Sequence, residues 1–259
     1  MHHLNDIIVL SILAAGMLFS IGRRKLTVTA AITGAILGWL IYAGAGYTGL
    51  AMLTVFFIMG TTATSLNRPK ASDIASGRKA TSYVPTSTSD VLPATRGSGN
   101  IYQPARHTGQ VIANAGIAAT AGLLMIGLPS YKPLLMIMMA GSLASAAADT
   151  VSSELGMAYG RRFYNILTGR RDEKGLDGVI SIEGLLFGLA GSAVIAMLYA
   201  LSNQWNINFF IILLAGTIGN ITDSLLGATL ERRHLLSNDT VNLLNTLAGA
   251  LAAGLIYLI

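Results

Sequence analysis

The chain has 259 residues, 53% of them hydrophobic and only 11% charged, with 17 Lys and Arg, 12 Asp and Glu and no cysteine. Soluble domains carry roughly 25% charged residues to cover their surface, so this composition excludes an ordinary soluble enzyme and a disordered chain. The lack of cysteine also excludes a disulfide scaffold and a thiolate metal site, and a polytopic membrane protein is left.

A bilayer-crossing helix takes about 20 mostly apolar residues. Eight such stretches follow one another, at approximately 4–21, 27–45, 48–66, 108–128, 133–157, 179–201, 207–230 and 238–259. The first has no small-residue cleavage site after its apolar core and is expected to be retained rather than removed as a signal peptide. The second and third are separated by the small residues Gly44 to Gly49. That segment matches G-x-G-x-x-G, but no strand precedes it, and a helix–helix turn is expected there. Residues 67–107 are rich in Ser, Thr, Pro and Gly without helical or strand period, as in a mobile segment or a functional lid. The expected fold is an all-α polytopic bundle of about eight transmembrane helices. It forms one domain over 1–259, with loops at approximately 22–26, 67–107, 158–178 and 231–237 on the basic side.

Basic residues give that side its name. Arg23, Arg24 and Lys25 follow the first span, and Arg68, Lys70, Arg78, Lys79, Arg96 and Arg106 follow the third. Arg161, Arg162, Arg170, Arg171 and Lys174 follow the fifth, and Arg232 and Arg233 follow the seventh. Only Lys132 falls between other spans. The asymmetry follows the positive-inside rule. It predicts that these loops face the cytoplasm or its organellar equivalent, with both termini opposite. The net charge of +5 is therefore a topology code, and nucleic acid is not an expected partner.

Acids within apolar spans are costly and mark function. Asp149, Glu154, Glu183 and Asp223 lie in or at the ends of spans, all toward the basic side. Helical spacing adds polar partners: Ser145, Asp149, Ser152 and Gly156 share one face, as do Asn220, Asp223, Ser224 and Gly227. Asn238, Asn242, Asn245 and Gly249 form a third stripe, and Gly184, Gly188, Gly191 and Ser192 a small face that admits close helix approach. Carboxylates with Ser and Asn suit Mg²⁺ shared with substrate phosphates, and Arg and Lys suit phosphate oxygens. At a membrane boundary this set points to phosphoryl or nucleotidyl transfer onto a lipid head group. Two other readings stand beside it: acids that merely pair with Arg or Lys to hold the bundle, and a cation- or proton-coupled transporter. His107 and His234 are expected to snorkel at span ends, and Glu231 to be solvated.

Several segments together resemble a known family. They are "KLTVTAAITGAILGW" (25–39), "RHTGQVIANAG" (106–116), "AAADTVSSELG" (146–156), "KGLDGVISIEGLLFGLAGS" (174–192), "GNITDSLLGATLE" (219–231) and "SNDTVNLLNTLAGAL" (237–251). In this order they are similar to the DUF92 integral membrane family, which includes plant phytyl-phosphate kinase and TMEM-nineteen-type proteins. The resemblance implies a prenyl-phosphate kinase. Such an enzyme moves the γ-phosphoryl of CTP, or another nucleoside triphosphate, to an isoprenoid monophosphate such as phytyl or geranylgeranyl phosphate. A CTP-dependent cytidylyltransferase of a lipid phosphate is the alternative. On this reading Asp149 and Asp223 hold Mg²⁺, with Glu154 as a further metal or positioning residue. Asn220, Ser224, Asn242 and Asn245 orient ligands. Arg106, Gln110 and Asn114 reach the nucleotide or acceptor phosphate, Arg161, Arg162 and Lys174 clamp phosphates, and Ser153, Ser181 and Glu183 complete the phosphate-binding set. The prenyl tail is expected along the small faces of spans six and eight.

Overall fold

The computed structural model describes residues 2–66 and 105–259. The Ser/Thr-rich part of the stretch 67–107, up to residue 104, lies outside the described residues. Helix α1 spans His2–Gly22 and α2 Val28–Leu66. Helix α3 spans Thr108–Gly127, and a 3-10 turn at Pro129–Tyr131 leads into α4, Lys132–Tyr159. Strands β1 (Tyr164–Asn165) and β2 (Val179–Ile180) precede α5, Ile182–Asn203. Helix α6 spans Asn208–Leu226 and passes into a π-helical turn, Gly227–Glu231. Helix α7 spans Asn238–Tyr257. Seven helices among the described residues are long and apolar enough to cross a membrane.

One of them is long enough to cross twice. A straight 39-residue helix would run about 58 Å, nearly double a hydrocarbon core of about 30 Å. Gly46, at φ 64 and ψ −152, breaks α2 in a conformation that only glycine adopts without strain. The two arms then fold back on each other. A Cβ added to Gly38 would meet the Leu53 side chain at 3.4 Å, and Lys25 Nζ donates to Ser65 Oγ at 3.0 Å. Residues before and after α2 therefore share one end of the bundle. The expected turn in Gly44–Gly49 is present, and counting both arms the described residues hold eight helical segments apolar and long enough to cross.

Helix α4 is the axis. It packs against α2, α3, α5, α6 and α7, and its residues from Leu135 to Asp149 are buried almost without interruption. Lipid tails are as apolar as leucine, so close approach of small residues, not hydrophobic transfer, brings such helices together. A Cβ on Gly141 would strike the Gly249 carbonyl at 2.6 Å, and one on Gly188 the Ala148 carbonyl at 3.0 Å. Larger residues there would push α7 and α5 off the axis.

The described basic loops gather at one end. The Thr27 amide donates to the Arg106 carbonyl at 3.1 Å, and the Arg106 amide to the Lys25 carbonyl at 3.0 Å. Arg232 meets Asp172 at 2.8 Å, and His107 lies 3.7 Å from Asp239. Lys132 begins α4 at the opposite end.

Two expectations change. Residues 179–181 do not begin the sixth span. Val179 pairs with Asn165 and Ile180 with Tyr164 in an antiparallel ladder, and Ser181 caps α5 by accepting the Gly184 amide at 3.0 Å. Gly178, at φ 72, makes the reversal that lets this ladder close before the helix starts. The seventh span also ends as a wider π turn rather than as regular helix, and Gly178 packs against Ala228 in it.

Candidate functional site

Helices α4, α6 and α7 each bring one polar stripe inward, and the stripes meet about two to three turns below the basic end. Asp149 on α4 and Asp223 on α6 face each other within hydrogen-bonding reach. Asn245 on α7, fully buried, donates through Nδ2 to Asp223 Oδ1 at 3.1 Å. Ser145, one turn below Asp149, donates to the Asn245 carbonyl at 3.0 Å and also meets its Oδ1. Gly219 and Gly249 leave room for that serine, since a Cβ on either would collide with it. Ser153 Oγ, one turn nearer the basic end, lies 3.4 Å from Asp149 Oδ1 and is itself exposed. Of the three stripes expected from helical spacing, Ser145 and Asp149, Asp223, and Asn245 thus meet around two carboxylates.

Other expected residues stand elsewhere. Glu154 lies five positions beyond Asp149, about 140° further round the helix. Its carboxylate accepts from Thr64 Oγ1 at 2.8 Å on the second arm of α2. Arg106 joins this second cluster: its Nη2 is 3.3 Å from Thr64 Oγ1, and its guanidinium packs on Gly60. Burial lowers the pKa of Arg106, and the Glu154 carboxylate offsets that by favouring its charge. Among the described residues no group of three or more His, Cys, Asp and Glu converges as a metal cluster, so Asp149, Asp223 and Glu154 do not form one triad.

Several candidates are held by the fold itself. Ser224 Oγ donates back to the Asn220 carbonyl at 3.2 Å, and Asn220 is buried where α6 meets Gly188 of α5. Asn242 donates to Asn238 Oδ1 at 3.1 Å. Ser181 is the α5 cap, and Glu183 sits in the first turn of α5, where a negative charge complements the helix dipole. Asn114 donates to the Gln110 carbonyl at 2.9 Å, while its Oδ1 is buried and has no hydrogen-bond partner among the described residues. Such an acceptor is costly to leave unmatched and fits a donor brought by a ligand. Arg161, Arg162 and Lys174 are exposed on the loop, and the Lys174 ammonium rests 5.6 Å from the Phe163 ring centroid.

Glu231 is not solvated. Only 7% of it is exposed, because the π turn directs it inward, where Asn238 hydrogen-bonds it. Asp177, on the loop above, lies close enough to Glu231, Arg232 and His234 to interact electrostatically. Burial pushes the Asp177 carboxyl up from its ordinary range, with Arg232 and His234 pulling against it. Sequence spacing showed no sign of either role: a glutamate before two arginines at a span end has the pattern of a solvated turn.

The family model for the integral membrane protein family DUF92 matches residues 11–250. The chain belongs to the DUF92 family. It is 26% identical over 224 residues to the chloroplastic protein VTE6 of Arabidopsis thaliana, covering 84% of this DUF92 chain and 61% of VTE6. It is 28% identical over 222 residues to an uncharacterized membrane protein of Synechocystis, covering 84% of the chain and 77% of that protein. A third relative is an uncharacterized membrane protein of Methanocaldococcus jannaschii, 40% identical over 121 residues, 45% of this chain and 49% of that one. The chain thus spans about three fifths of VTE6 and matches half of the archaeal protein. No solved structure matches this DUF92 chain.

Proposed function

We propose that the protein is a membrane-embedded prenyl-phosphate kinase, transferring the γ-phosphoryl of CTP or another nucleoside triphosphate to an isoprenoid monophosphate. The observation that carries this is the facing pair Asp149 and Asp223, buried inside the bundle beside the exposed Ser153. Membership of DUF92 and the resemblance of its motifs to prenyl-phosphate kinases support the reaction class.

Two carboxylates, one held by an amide N–H and the other by a hydroxyl, fit Mg²⁺, which typically takes one or two protein carboxylates and fills its shell with water and substrate phosphates. Asp149 and Asp223 would hold it, and when bound it would neutralise charge on the transferring phosphoryl group. Asn245 fixes the Asp223 carboxylate through its amide, and Ser145 fixes Asn245. Arg161, Arg162 and Lys174 offer cations to the phosphate chain at the mouth. In the transfer, an acceptor phosphate oxygen forms the new bond to the γ-phosphorus. The bond from that phosphorus to the bridging oxygen breaks, and the nucleoside diphosphate leaves. The acceptor is already ionised, so this chemistry needs positioning and charge stabilisation rather than a strong base. The isoprenoid tail stays in the lipid-facing part of the bundle.

The test is a transfer assay with purified protein, a panel of nucleoside triphosphates and a panel of prenyl monophosphates. A prenyl diphosphate is the expected product. A cytidylylated lipid would instead assign a cytidylyltransferase. Solute flux in reconstituted vesicles, with neither product formed, would assign a transporter.

A further inference from the structure

We propose that the loop 160–181 is a docking surface for anionic lipid headgroups, with Arg170 and Arg171 as its headgroup-binding pair. The loop carries five exposed cations: Arg161, Arg162, Arg170, Arg171 and Lys174. Its own acids are three, Asp172, Glu173 and Asp177, and Asp172 is already committed to Arg232 at 2.8 Å. The charge excess is therefore real at the loop surface.

The cations are mounted on a fixed frame. Asn165 is buried and accepts the Leu167 and Thr168 amides at 3.0 and 3.2 Å, while its Nδ2 donates to Asp172 at 3.2 Å. The Asn165 amide donates to the Arg170 carbonyl at 2.9 Å, and Arg171 bridges Tyr164. The two arginines therefore follow a closed turn instead of a free tail, and little ordering is needed when they bind.

Exposed apolar side chains show where the lipid surface lies. Tyr159, which ends α4, stacks near Phe187 at 5.8 Å between centroids, and Ile182 and Leu186 of α5 face outward. Amphipathic aromatics at a span end mark the headgroup level. The loop adds its own exposed Leu167 and Leu176, close in sequence to the cations. Leucines beside arginines, just beyond an aromatic at a span end, match an interface where the apolar groups meet acyl chains and the cations meet headgroup phosphates. This pair is separate from the residues assigned to the reacting phosphates, so the inference stands without the kinase reading.

The test uses the full chain purified in detergent and then equilibrated with equal amounts of phosphatidylglycerol and phosphatidylcholine. Retained lipid is counted by mass spectrometry. Phosphatidylglycerol is expected to be retained several-fold over phosphatidylcholine, and the preference to fall by at least half in Arg170→Gln/Arg171→Gln. The pair Arg170→Lys/Arg171→Lys should keep it, as should Lys132→Gln at the other end of the bundle. Millimolar inorganic phosphate should not remove it. An unchanged preference in the Gln pair would overturn the proposal. So would its loss in the Lys pair while gel filtration shows an intact fold, or full displacement by inorganic phosphate, which would make this an ion site.

Discussion

At the scale of single residues, the site rests on carboxylates that the bilayer makes expensive. Asp149 and Asp223 face each other within hydrogen-bonding reach, with 8% of Asp149 exposed. Asp149→Asn and Asp223→Asn keep the volume and remove one charge each. Each is expected to lower transfer by about two to three orders of magnitude, the range seen when one preorganised electrostatic contact is lost. Both variants should still elute as folded protein in detergent, and full activity in both would sink the metal-site reading. Asn245→Ala should act differently. It removes the amide that donates to Asp223 and leaves Ser145 only the backbone carbonyl of residue 245, a buried loss of about 1–3 kcal/mol, so a lower midpoint of thermal unfolding should accompany its loss of activity. Asp149, Asp223 and Asn245 were legible in the sequence, because an acid or amide in an apolar run stands out and helical spacing aligns its partners. Glu154 was legible as an intramembrane acid, but its partner was not. Thr64 lies 90 residues away, and no local pattern joins them. Glu231 was misjudged because a π turn, which turns it inward, has no sequence signature.

At the scale of elements, two short segments position everything else. The first is the loop 160–181, tied to the end of the seventh span by Arg232 and Asp172. The hydrogen bond from Arg232 holds the Asp172 carboxyl below its ordinary range, helped by the Glu173 amide and Asn165. A group with a depressed folded pKa contributes stability above its unfolded value, about 3.9 for Asp, and loses it as pH falls through the folded value. The tie should hold throughout neutral pH and release only below about pH 4. Protease nicking of the loop, followed in detergent at falling pH, should rise in that range for the natural protein. Asp172→Asn should show the raised rate already at pH 7, and equal rates at pH 7 would contradict the tie. The second segment is the hinge at Gly46. Nothing lies within 4 Å of a Cβ placed there, so Gly46→Ala meets no clash and carries only the cost of a positive-φ extended backbone that is essentially reserved for glycine, about 1–3 kcal/mol, read as a lower midpoint of thermal unfolding. The hinge was legible as a run of small residues, whereas the β1–β2 ladder was not. Two-residue strands leave no period to read, and the polar loop around them has the composition of a plain linker.

At the scale of the whole molecule, hydrogen bonds and sequence charge agree on one arrangement. Backbone and side-chain contacts bring residues 25, 65 and 106, and likewise 172 and 232, to common points, and the alternating course of the helices puts all of them at one end. Positive charge on short loops fixes orientation, so this end is expected on the cytoplasmic side or its organellar equivalent, with both termini opposite. The chain has no cysteine, so single cysteines can be placed without first removing any. Cysteines replacing Arg24, Arg170 and Arg233, all exposed, should react with a membrane-impermeant maleimide only when the cytoplasmic face is opened. Cysteines at Ser130 and Asn206, in the exposed turns at the other end, should react from outside in intact cells. Labelling of Arg170→Cys from outside, with Asn206→Cys protected, would invert the molecule. The Asp149–Asp223 pair would then lie nearer the face away from the nucleotide supply of the cytoplasm, and a kinase reading would have to yield to one that draws its substrate from the other face.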